Sequence, residues 1–157
     1  MELPIEQACV RDAERILKLQ YLCYQTEAEL YDDYAIPQLT QTLRSLVGDS
    51  DTHTILVARP GGEVVGSVRG RLEGDACRMN GSSYVPILQR CGLGTWLMHA
   101  VEGCFPTAGC YDLFTVHPSE RNTSFYRQLR YEKFREEEAS SRLRLIYLEK
   151  LGERPER

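Results

Sequence analysis

The stretch Gln89-Arg90-Cys91-Gly92-Leu93-Gly94-Thr95 lies between a segment with strand character that ends at Tyr84-Val85-Pro86 and a helical run that begins at Trp96. Its two glycines allow the backbone to bend tightly, so that successive N–H groups can point into one concavity. The same N–H groups open a helix, whose N-terminal partial charge favours an anion by about 0.3 to 1 kcal/mol per charge. The stretch therefore predicts a pyrophosphate-binding loop.

Two other kinds of phosphate-binding loop fit this stretch less well. A P-loop requires Lys and then Ser or Thr directly after its last glycine, whereas Thr95 and Trp96 follow Gly94 here. A dinucleotide-binding turn requires a third glycine at the position that Leu97 occupies. A glycine turn before an ordinary core helix is the alternative that the loop by itself leaves open.

The composition limits the class of protein. With 157 residues, of which 42% are hydrophobic, the chain is long enough for one core, so we expect a single domain over residues 1–157 with a frayed tail at 152–157. The sequence contains no apolar run of membrane-spanning length and begins without a signal peptide, which predicts a cytoplasmic protein with no membrane partner. A net charge of -4 argues against nonspecific nucleic-acid binding.

The six cysteines and three histidines do not show the spacing of a metal site. There is no Cys-x-x-Cys and no helical pair of histidines, so we expect no metal. Cys91 lies beside Arg90 and near a helix N-terminus, which would favour a thiolate, and a reactive Cys91 is an alternative to a purely structural one. The cysteines that we expect in the core as small apolar residues are Cys9, Cys23, Cys77 and Cys104.

Hydrophobic periodicity predicts alternating helices and strands along the chain. Apolar residues at three- and four-residue spacing predict helices over 13–30, 38–47 and 96–105, and Ser119 is a probable N-cap for another. Alternation and turn residues predict strands over 5–10, 54–58, 63–73, 76–85, 111–116, 131–137 and 142–149. Because Asn80-Gly81-Ser82-Ser83 is polar, we expect a β-bulge in the fourth of these strands.

Two stretches together resemble the GNAT superfamily of N-acetyltransferases. Gln89-x-x-Gly92-x-Gly94 is similar to the coenzyme A signature of that family, and Ser119-x-x-Asn122-x-x-x-Tyr126 is similar to its second motif. Arg130 replaces the glycine that usually ends the second helix. Since a residue with a side chain costs on the order of 1 kcal/mol in the left-handed conformation, we expect Arg130 to strain or move the helix end.

The resemblance implies an α/β (α+β) fold, with a central, mixed and mostly antiparallel sheet of six to seven strands flanked by about four helices. It also implies acetyl-CoA as the co-substrate and direct transfer of the acetyl group to an amine of a small molecule or a peptide. Tyr126 takes the position of the general acid, and the N–H of Val85 would meet the oxyanion. The residues that the resemblance implies for cofactor binding are Tyr84, Val85, Gln89, Arg90, Cys91, Gly92, Leu93, Gly94, Thr95 and Asn122.

Three questions about the chemistry stay open at the level of sequence. Tyr126 is either this acid or a core aromatic residue of an amphipathic helix. The base that deprotonates the amine is not identified; Glu27, Glu29 and Glu73 are candidates whose acidity favours a cationic acceptor. The alternative to an enzyme is a catalytically impaired module that binds acyl-CoA for regulation. The resemblance also suggests a homodimer, which no residue independently indicates.

Overall fold

A computed structural model describes residues 5–31, 41–49, 51–84, 92–116, 120–138 and 144–152. The described helices are α1 (Ala13–Tyr31), α2 (Leu43–Asp49), α3 (Leu93–Gly103) and α4 (Glu120–Gln128). Short 3-10 turns lie at Val10–Asp12 and Pro60–Gly62. The strands are β1 (Ile5–Gln7), β2 (Thr54–Ala58), β3 (Gly66–Glu73), β4 (Ala76–Tyr84), β5 (Cys110–Val116), β6 (Glu132–Glu138) and β7 (Arg144–Leu151).

The seven strands form one sheet in the order β1-β2-β3-β4-β5-β7-β6. β4 and β5 run parallel, whereas the other neighbouring strands run antiparallel. The parallel pair is the one that α3 connects, because parallel neighbours need a crossover and antiparallel neighbours need only a turn. The predicted α/β fold, with a mixed and mostly antiparallel sheet of six to seven strands and about four helices, is confirmed.

Helices cover both faces of the first half of the sheet. Ile55 and Val57 on β2 pack in a cluster with α1 and α2, whereas Leu56 and Ala58 pack in a larger cluster with α3. Successive strand residues point to opposite faces, so a strand covered on both sides is apolar at every position. This is why residues 55–58 form a continuous apolar run rather than an alternating one.

Of the predicted boundaries that differ from the structure, three follow from side-chain hydrogen bonds or backbone conformation. β1 ends at Gln7, and the chain then turns, since the carboxylate of Asp12 accepts the backbone N–H of Cys9 at 2.9 Å. α2 begins at Leu43, because Thr42 Oγ1 caps it by accepting the N–H of Ser45 at 3.1 Å. The predicted start at residue 38 lies outside the described residues. α3 begins three residues before the predicted Trp96, at Leu93.

The expected burial of two cysteines is wrong. Cys77 is buried as expected, but Cys9 and Cys104 are exposed and do not belong to the core. Gly152, the first residue of the predicted frayed tail, donates its N–H to Gly109 O at 2.8 Å, and its backbone packs against Ala108. Residues 153–157 lie outside the described part of the chain.

Two kinds of feature are missing from the part of the chain that the structure describes. No helix there has the length and apolar character to cross a membrane. In the same residues, no group of three or more His, Cys, Asp or Glu side chains is arranged to hold a metal ion.

Candidate active site

β4 and β5 pair only at their beginnings. Their register joins Ala76–Arg78 to Cys110–Asp112, and within the described strands no pair follows Arg78 and Asp112. β4 nevertheless continues to Tyr84 and β5 to Val116, so the two strands enclose a V-shaped opening with its vertex at Arg78 and Asp112. Backbone N–H and C=O groups along such an opening are available to an extended polar molecule, which can pair with them as a strand would.

A β-bulge lies on the β4 side of this opening. Ser67 of β3 pairs with Ser83 and Arg69 pairs with Asn80, so two steps along β3 (67 to 69) correspond to three along β4 (80 to 83). The extra residue falls within Gly81-Ser82, which confirms the expected bulge. Since a bulge interrupts the ladder, it leaves backbone groups of β4 without partners on β3 at this point.

The N-terminus of α3 presents backbone N–H groups. Gly92 is its N-cap, with the left-handed φ of 77° that glycine adopts without strain, and no side chain caps the helix. Among the described residues, none accepts a hydrogen bond from the N–H groups of Leu93, Gly94 or Thr95. No acidic residue lies in the first turn of the helix. The arrangement favours an anion electrostatically and by hydrogen bonding.

The path of the chain places this N-terminus toward the open end of the V. After α3, the N–H of Gly109 donates to Asp75 O at 2.8 Å, and the hydroxyl of Tyr111 donates to Phe105 O at 2.7 Å. The C-terminal end of α3 therefore lies beside the closed end, where β4 and β5 begin. Because a crossover helix runs antiparallel to the strands that it joins, its N-terminus lies at their carboxyl ends.

Six of the ten predicted cofactor-binding residues lie in the described part of the chain. Gly92, Leu93, Gly94 and Thr95 are brought together in the first turn of α3. Tyr84 ends β4, with its backbone paired to Gly66, and Asn122 lies within α4. The predicted site residues that lie outside the described part of the chain are Val85, Gln89, Arg90 and Cys91.

Tyr126 lies on α4 and is partly buried. Its ring contacts the ring of Phe125 at a centroid distance of 5.0 Å and that of Tyr131 at 6.1 Å, both edge to face. It packs on the same core cluster as the apolar residues of α3. The ring of Tyr126 therefore contributes to packing, as expected of an aromatic residue on an amphipathic helix, and α4 follows β5, one of the two strands that border the opening.

The end of α4 is stabilised by backbone hydrogen bonds that surround Arg130. The N–H of Tyr131 donates to Tyr126 O and the N–H of Arg130 donates to Arg127 O, each at 3.0 Å. This is the Schellman pattern, and Arg130 takes the left-handed position in it with φ 72°. The helix end has therefore not moved, and Arg130 adopts the strained conformation that the sequence predicted as one of two outcomes.

A buried polar cluster lies behind Tyr126, and the sequence did not indicate it. Tyr131 is 1% exposed and its hydroxyl donates to Glu102 Oε2 at 2.6 Å, while Lys150 Nζ donates to Glu102 Oε1 at 2.7 Å. Burial raises the pKa of the Tyr131 phenol, and the hydrogen bond to the Glu102 carboxylate raises it further, so it stays a donor. The cluster joins α3, β7 and the segment after α4 into the wall against which Tyr126 packs.

Charged residues cross the opposite face of the sheet at the level of the vertex. Tyr111 and Leu113 face the α3 side, so Asp112 between them faces the other side. Direct pairing across β3, β4, β5, β7 and β6 aligns Arg71, Arg78, Asp112, Glu149 and Glu132. Two cations are thus followed by three carboxylates on neighbouring strands, and we call these five residues the charged row.

Ion pairs distinguish the carboxylates near this row. Glu73 Oε1 accepts from Arg71, and Glu73 Oε2 lies 2.8 Å from Arg78 Nε, so this predicted base candidate is engaged by two arginines. Asp112 lies farther from Arg78 Nε, at 3.8 Å. Burial raises the pKa of Asp112 above its usual value, despite the opposing effect of Arg78. The side chains of Glu27 and Glu29 lie outside the described set.

Aromatic rings lie beside the charged row on the same face. Phe114 follows Asp112 by two residues, beyond the vertex, and its ring centroid is 5.9 Å from that of Tyr147. The guanidinium carbon of Arg135 lies 4.0 Å from the centroid of the Tyr147 ring. Apolar rings and carboxylates together suit a molecule with an apolar body and a positive charge.

Comparison with solved structures identifies this architecture. The smu.2055 protein of Streptococcus mutans UA159 superposes with a TM-score of 0.79 at 12% identity, covering 95% of this chain and 99% of that one. A phosphinothricin acetyltransferase of Sinorhizobium meliloti, in complex with AcCoA, superposes with a TM-score of 0.74 at 15% identity, covering 97% of this chain and 90% of that one. A ribosomal-protein-alanine N-acetyltransferase of Brucella melitensis superposes with a TM-score of 0.71 at 17% identity, covering 95% of this chain and 99% of that one.

At these identities the likeness establishes the fold and not the substrate. No curated protein matches the chain in sequence. The sequence model of the "Acetyltransferase (GNAT) family", however, matches residues 13–131, which is more than half of the chain. The protein therefore belongs to the GNAT acetyltransferase family.

Proposed function

We propose that the protein is an acetyl-CoA-dependent N-acetyltransferase that moves an acetyl group directly to a primary amine of a small molecule or a peptide. The observation that carries the proposal is the parting of β4 and β5 after Arg78 and Asp112, next to a helix whose first N–H groups have no acceptor among the described residues. Family membership supports acyl transfer as the reaction class. Solved neighbours that are named N-acetyltransferases support an amine acceptor.

In this proposal the two halves of the opening hold different parts of acetyl-CoA. The N–H groups of Leu93, Gly94 and Thr95, with Gly92 and the residues Gln89, Arg90 and Cys91, hold the pyrophosphate. The backbone of Tyr84 and Val85 pairs with the amides of the pantetheine arm, and Asn122 faces that arm. The absence of acidic residues from the first turn of α3 supports this assignment, because a carboxylate there would repel the phosphates.

The chain's own groups then have two tasks during transfer. The neutral amine attacks the thioester carbon, and the N–H of Val85 donates to the oxygen that becomes negative. As the carbon–sulfur bond breaks, the hydroxyl of Tyr126 gives its proton to the departing sulfur, and the proton that the acylated nitrogen loses restores this hydroxyl through water. The amide product carries the acetyl group, and the thiol of coenzyme A leaves.

The open face of the sheet supports a cationic acceptor with an apolar body. Asp112, Glu149 and Glu132 form the acidic half of the charged row, and Phe114 and Tyr147 lie beside them. Of these carboxylates, Asp112 is closest to the vertex and is partly buried, with 18% of its side chain exposed. We assign it the removal of the proton that the amine must lose, directly or through water, since a lysine-like amine is almost entirely protonated at neutral pH.

Calorimetry with acetyl-CoA and thiol release against a panel of amines test the proposal together. We expect binding, turnover on at least one cationic amine, and a rate about 10²-fold lower in Tyr126→Phe with acetyl-CoA affinity preserved. The matched control is Tyr21→Phe, which removes a hydroxyl that donates to Gln41 O on the other side of the sheet. Equal rates for wild type and Tyr126→Phe would show that Tyr126 is not the general acid.

The same measurements separate the enzyme from the catalytically impaired module. Binding of acetyl-CoA without turnover on any amine would support the module and overturn the proposed reaction. No heat with acetyl-CoA at millimolar concentration would overturn both, because each requires the pyrophosphate site.

A further inference from the structure

We infer that the protein has a second small-molecule site, in a cavity between α1, α2 and the first two strands, for an uncharged, mainly apolar molecule with one hydrogen-bond donor. The cavity has a volume of about 300 Å³. Its floor consists of four buried apolar side chains, Ala13, Ile16, Leu46 and Ile55. None of the lining residues borders the V-shaped opening, so this site is separate from the proposed acetyl-CoA site.

The size of the cavity fits a molecule of one or two aromatic rings. An apolar cavity of about 150 Å³ takes up benzene, and small-molecule sites begin at about 300 Å³. An apolar floor favours the burial of an apolar ligand by roughly 25 cal/mol for each Å² removed from water. The cavity opens to solvent past the exposed residues Gln7, Cys9 and Val10, which gives a ligand an entry path.

The residues that line the cavity do not favour a charged ligand. Of the described residues that line it, none is Asp, Glu, Lys or Arg. Asp12, which precedes the lining residue Ala13, is already paired: its two carboxylate oxygens each accept from Arg59 at 2.7 Å, and Arg59 also donates to Glu6 at 2.7 Å. A ligand charge buried against this lining would therefore have no partner among these residues and would lose its hydration, which is costly.

The ring of His53 supplies a polar contact for the ligand. The position of the ring proton decides whether the ligand must donate or accept that hydrogen bond. Its Nδ1 lies 3.2 Å from Asp49 O and 2.8 Å from Thr52 Oγ1. A carbonyl oxygen can only accept, and the Thr52 hydroxyl donates its own proton to Asp49 O at 3.4 Å, so we place the ring proton on Nδ1. Burial lowers the pKa of His53, which keeps the ring neutral at pH 7 and leaves Nε2 as an acceptor. Among the described residues no group donates to Nε2, so a ligand N–H or O–H is its natural partner.

The wall that holds His53 is formed before any ligand binds. The Asp49 carboxylate accepts from Arg69 Nη1 at 2.7 Å and from Gln41 Nε2 at 2.9 Å, while its backbone oxygen holds His53. Arg69 is 8% exposed, so this anchor joins α2 to the interior of β3. A fixed wall lowers the conformational entropy that binding must overcome.

Indole and 1-methylindole are matched probes, since they share one ring system and only indole has an N–H donor. We expect indole to produce saturable shifts in the ¹³C-methyl NMR signals of Ile16, Leu46, Val47 and Ile55. We expect 1-methylindole to shift the same signals with about fivefold weaker affinity, because it lacks one neutral hydrogen bond. The measurement needs neither acetyl-CoA nor turnover, so its result does not depend on the proposed reaction.

Three variants assign the site. Ala13→Leu fills the floor and should abolish the shifts with both probes, whereas Glu14→Leu adds the same side chain at the exposed neighbouring position and should preserve them. His53→Phe should remove the preference for indole and keep the apolar binding. Ala8→Leu fills the half-buried wall and serves as a second test of filling if Ala13→Leu does not fold.

Three results would overturn the inference. The first is the absence of saturable shifts at 5 mM indole, a concentration chosen to detect binding of about 1 mM affinity. The second is unchanged affinity in a folded variant that fills the cavity. The third is equal affinity of the two probes for wild type, which would remove His53 as the acceptor and with it the assigned class of ligand.

Discussion

The backbone N–H of Tyr131 donates to the carbonyl oxygen of Tyr126 at 3.0 Å, which closes the C-terminus of α4 on the residue proposed as the general acid. The hydrogen bond is possible because Arg130, between them, takes a left-handed conformation with φ 72°. The helix end that carries Tyr126 therefore depends on a backbone conformation that a residue with a side chain adopts at a cost.

Replacing Arg130 by glycine should stabilise the protein by about 1 kcal/mol, because glycine adopts the left-handed conformation without a Cβ clash. Arg130→Ala is the control, since it also removes the guanidinium but keeps the Cβ, and it should change stability by less than about 0.5 kcal/mol. Urea unfolding measures both. Equal stabilities of the Gly and Ala variants would show that the conformation of residue 130 carries no strain.

Glu102→Ala should destabilise the protein by about 3 kcal/mol, because it leaves the partly buried Lys150 ammonium and the Tyr131 hydroxyl without their acceptor. Tyr131→Phe should cost only about 1 kcal/mol, since it removes one neutral donor. Glu136→Ala is the comparison, because Glu136 forms its pair with Lys133 at the surface, and there we expect less than about 1 kcal/mol. Chemical denaturation that gave Glu102→Ala and Glu136→Ala the same loss would contradict the buried cluster.

Gly92→Ala should reduce the free energy of unfolding by about 1 kcal/mol. The φ of 77° disfavours alanine, whereas the nearest atom to an added Cβ lies at 3.8 Å, so the cost is conformational and not steric. Gly92→Asn should lose less, because asparagine tolerates this conformation better than alanine. Thermal or urea unfolding measures the stability that each variant loses. A loss in Gly92→Asn equal to or larger than the loss in Gly92→Ala would contradict the prediction.

The ion pair between Asp12 and Arg59 should make stability depend on acid pH. Hydrogen bonds from Arg59 lower the pKa of Asp12 from 3.8 to about 2 in the folded protein. The folded pKa is below the unfolded one, so the contribution of about 2 kcal/mol is present above pH 3.8 and is lost as the pH falls toward 2. Asp12→Asn should remove this part of the acid sensitivity, whereas Glu6→Gln, at the exposed side of Arg59, should leave most of it. Urea unfolding between pH 2 and 6 measures the difference; parallel curves for wild type and Asp12→Asn would be the contrary result.

If Asp112 removes the proton of the amine, Asp112→Asn should lower kcat/KM about 10²-fold at neutral pH. The acid limb of the wild-type pH–rate profile should be displaced upward from the ordinary pKa of an aspartate, because burial raises the pKa of Asp112 and the base acts when ionised. Glu132→Gln removes the exposed carboxylate at the end of the charged row and should change kcat/KM less than threefold. If Asp112→Asn kept full activity and the same pH–rate profile, Asp112 would not be the base.

Local patterns in the sequence predicted most of the fold. The spacing of Ile16, Leu19 and Leu22 predicted a helix over 13–30, and α1 spans Ala13–Tyr31. The predicted strand over 54–58 matches β2 at both ends, because the turn residues on either side end it. These elements are predictable since their own residues record which faces are buried and where the chain must turn.

The boundaries that differ depend on partners distant in sequence or on local backbone geometry. The end of β1 depends on Asp12, which Arg59 holds from its position directly after β2. Cysteine is a residue type that is usually buried, yet Cys9 lies at an exposed position because β1 ends before it. The early start of α3 follows from the left-handed Gly92, whose φ is a property of the folded backbone.

The features of the candidate site also fall into those that neighbouring residues predict and those that depend on residues distant in sequence. The sequence by itself determined the order of the elements, the glycines that open α3, the bulge in β4 and the placement of Tyr126 on a helix, because each is encoded within a few neighbouring residues. Only the tertiary structure decided the parting of β4 and β5, the charged row, the cluster of Glu102, Tyr131 and Lys150, and the cavity beside His53. Each of these joins residues far apart along the chain, and strand pairing and packing bring them together only when the whole sheet has formed.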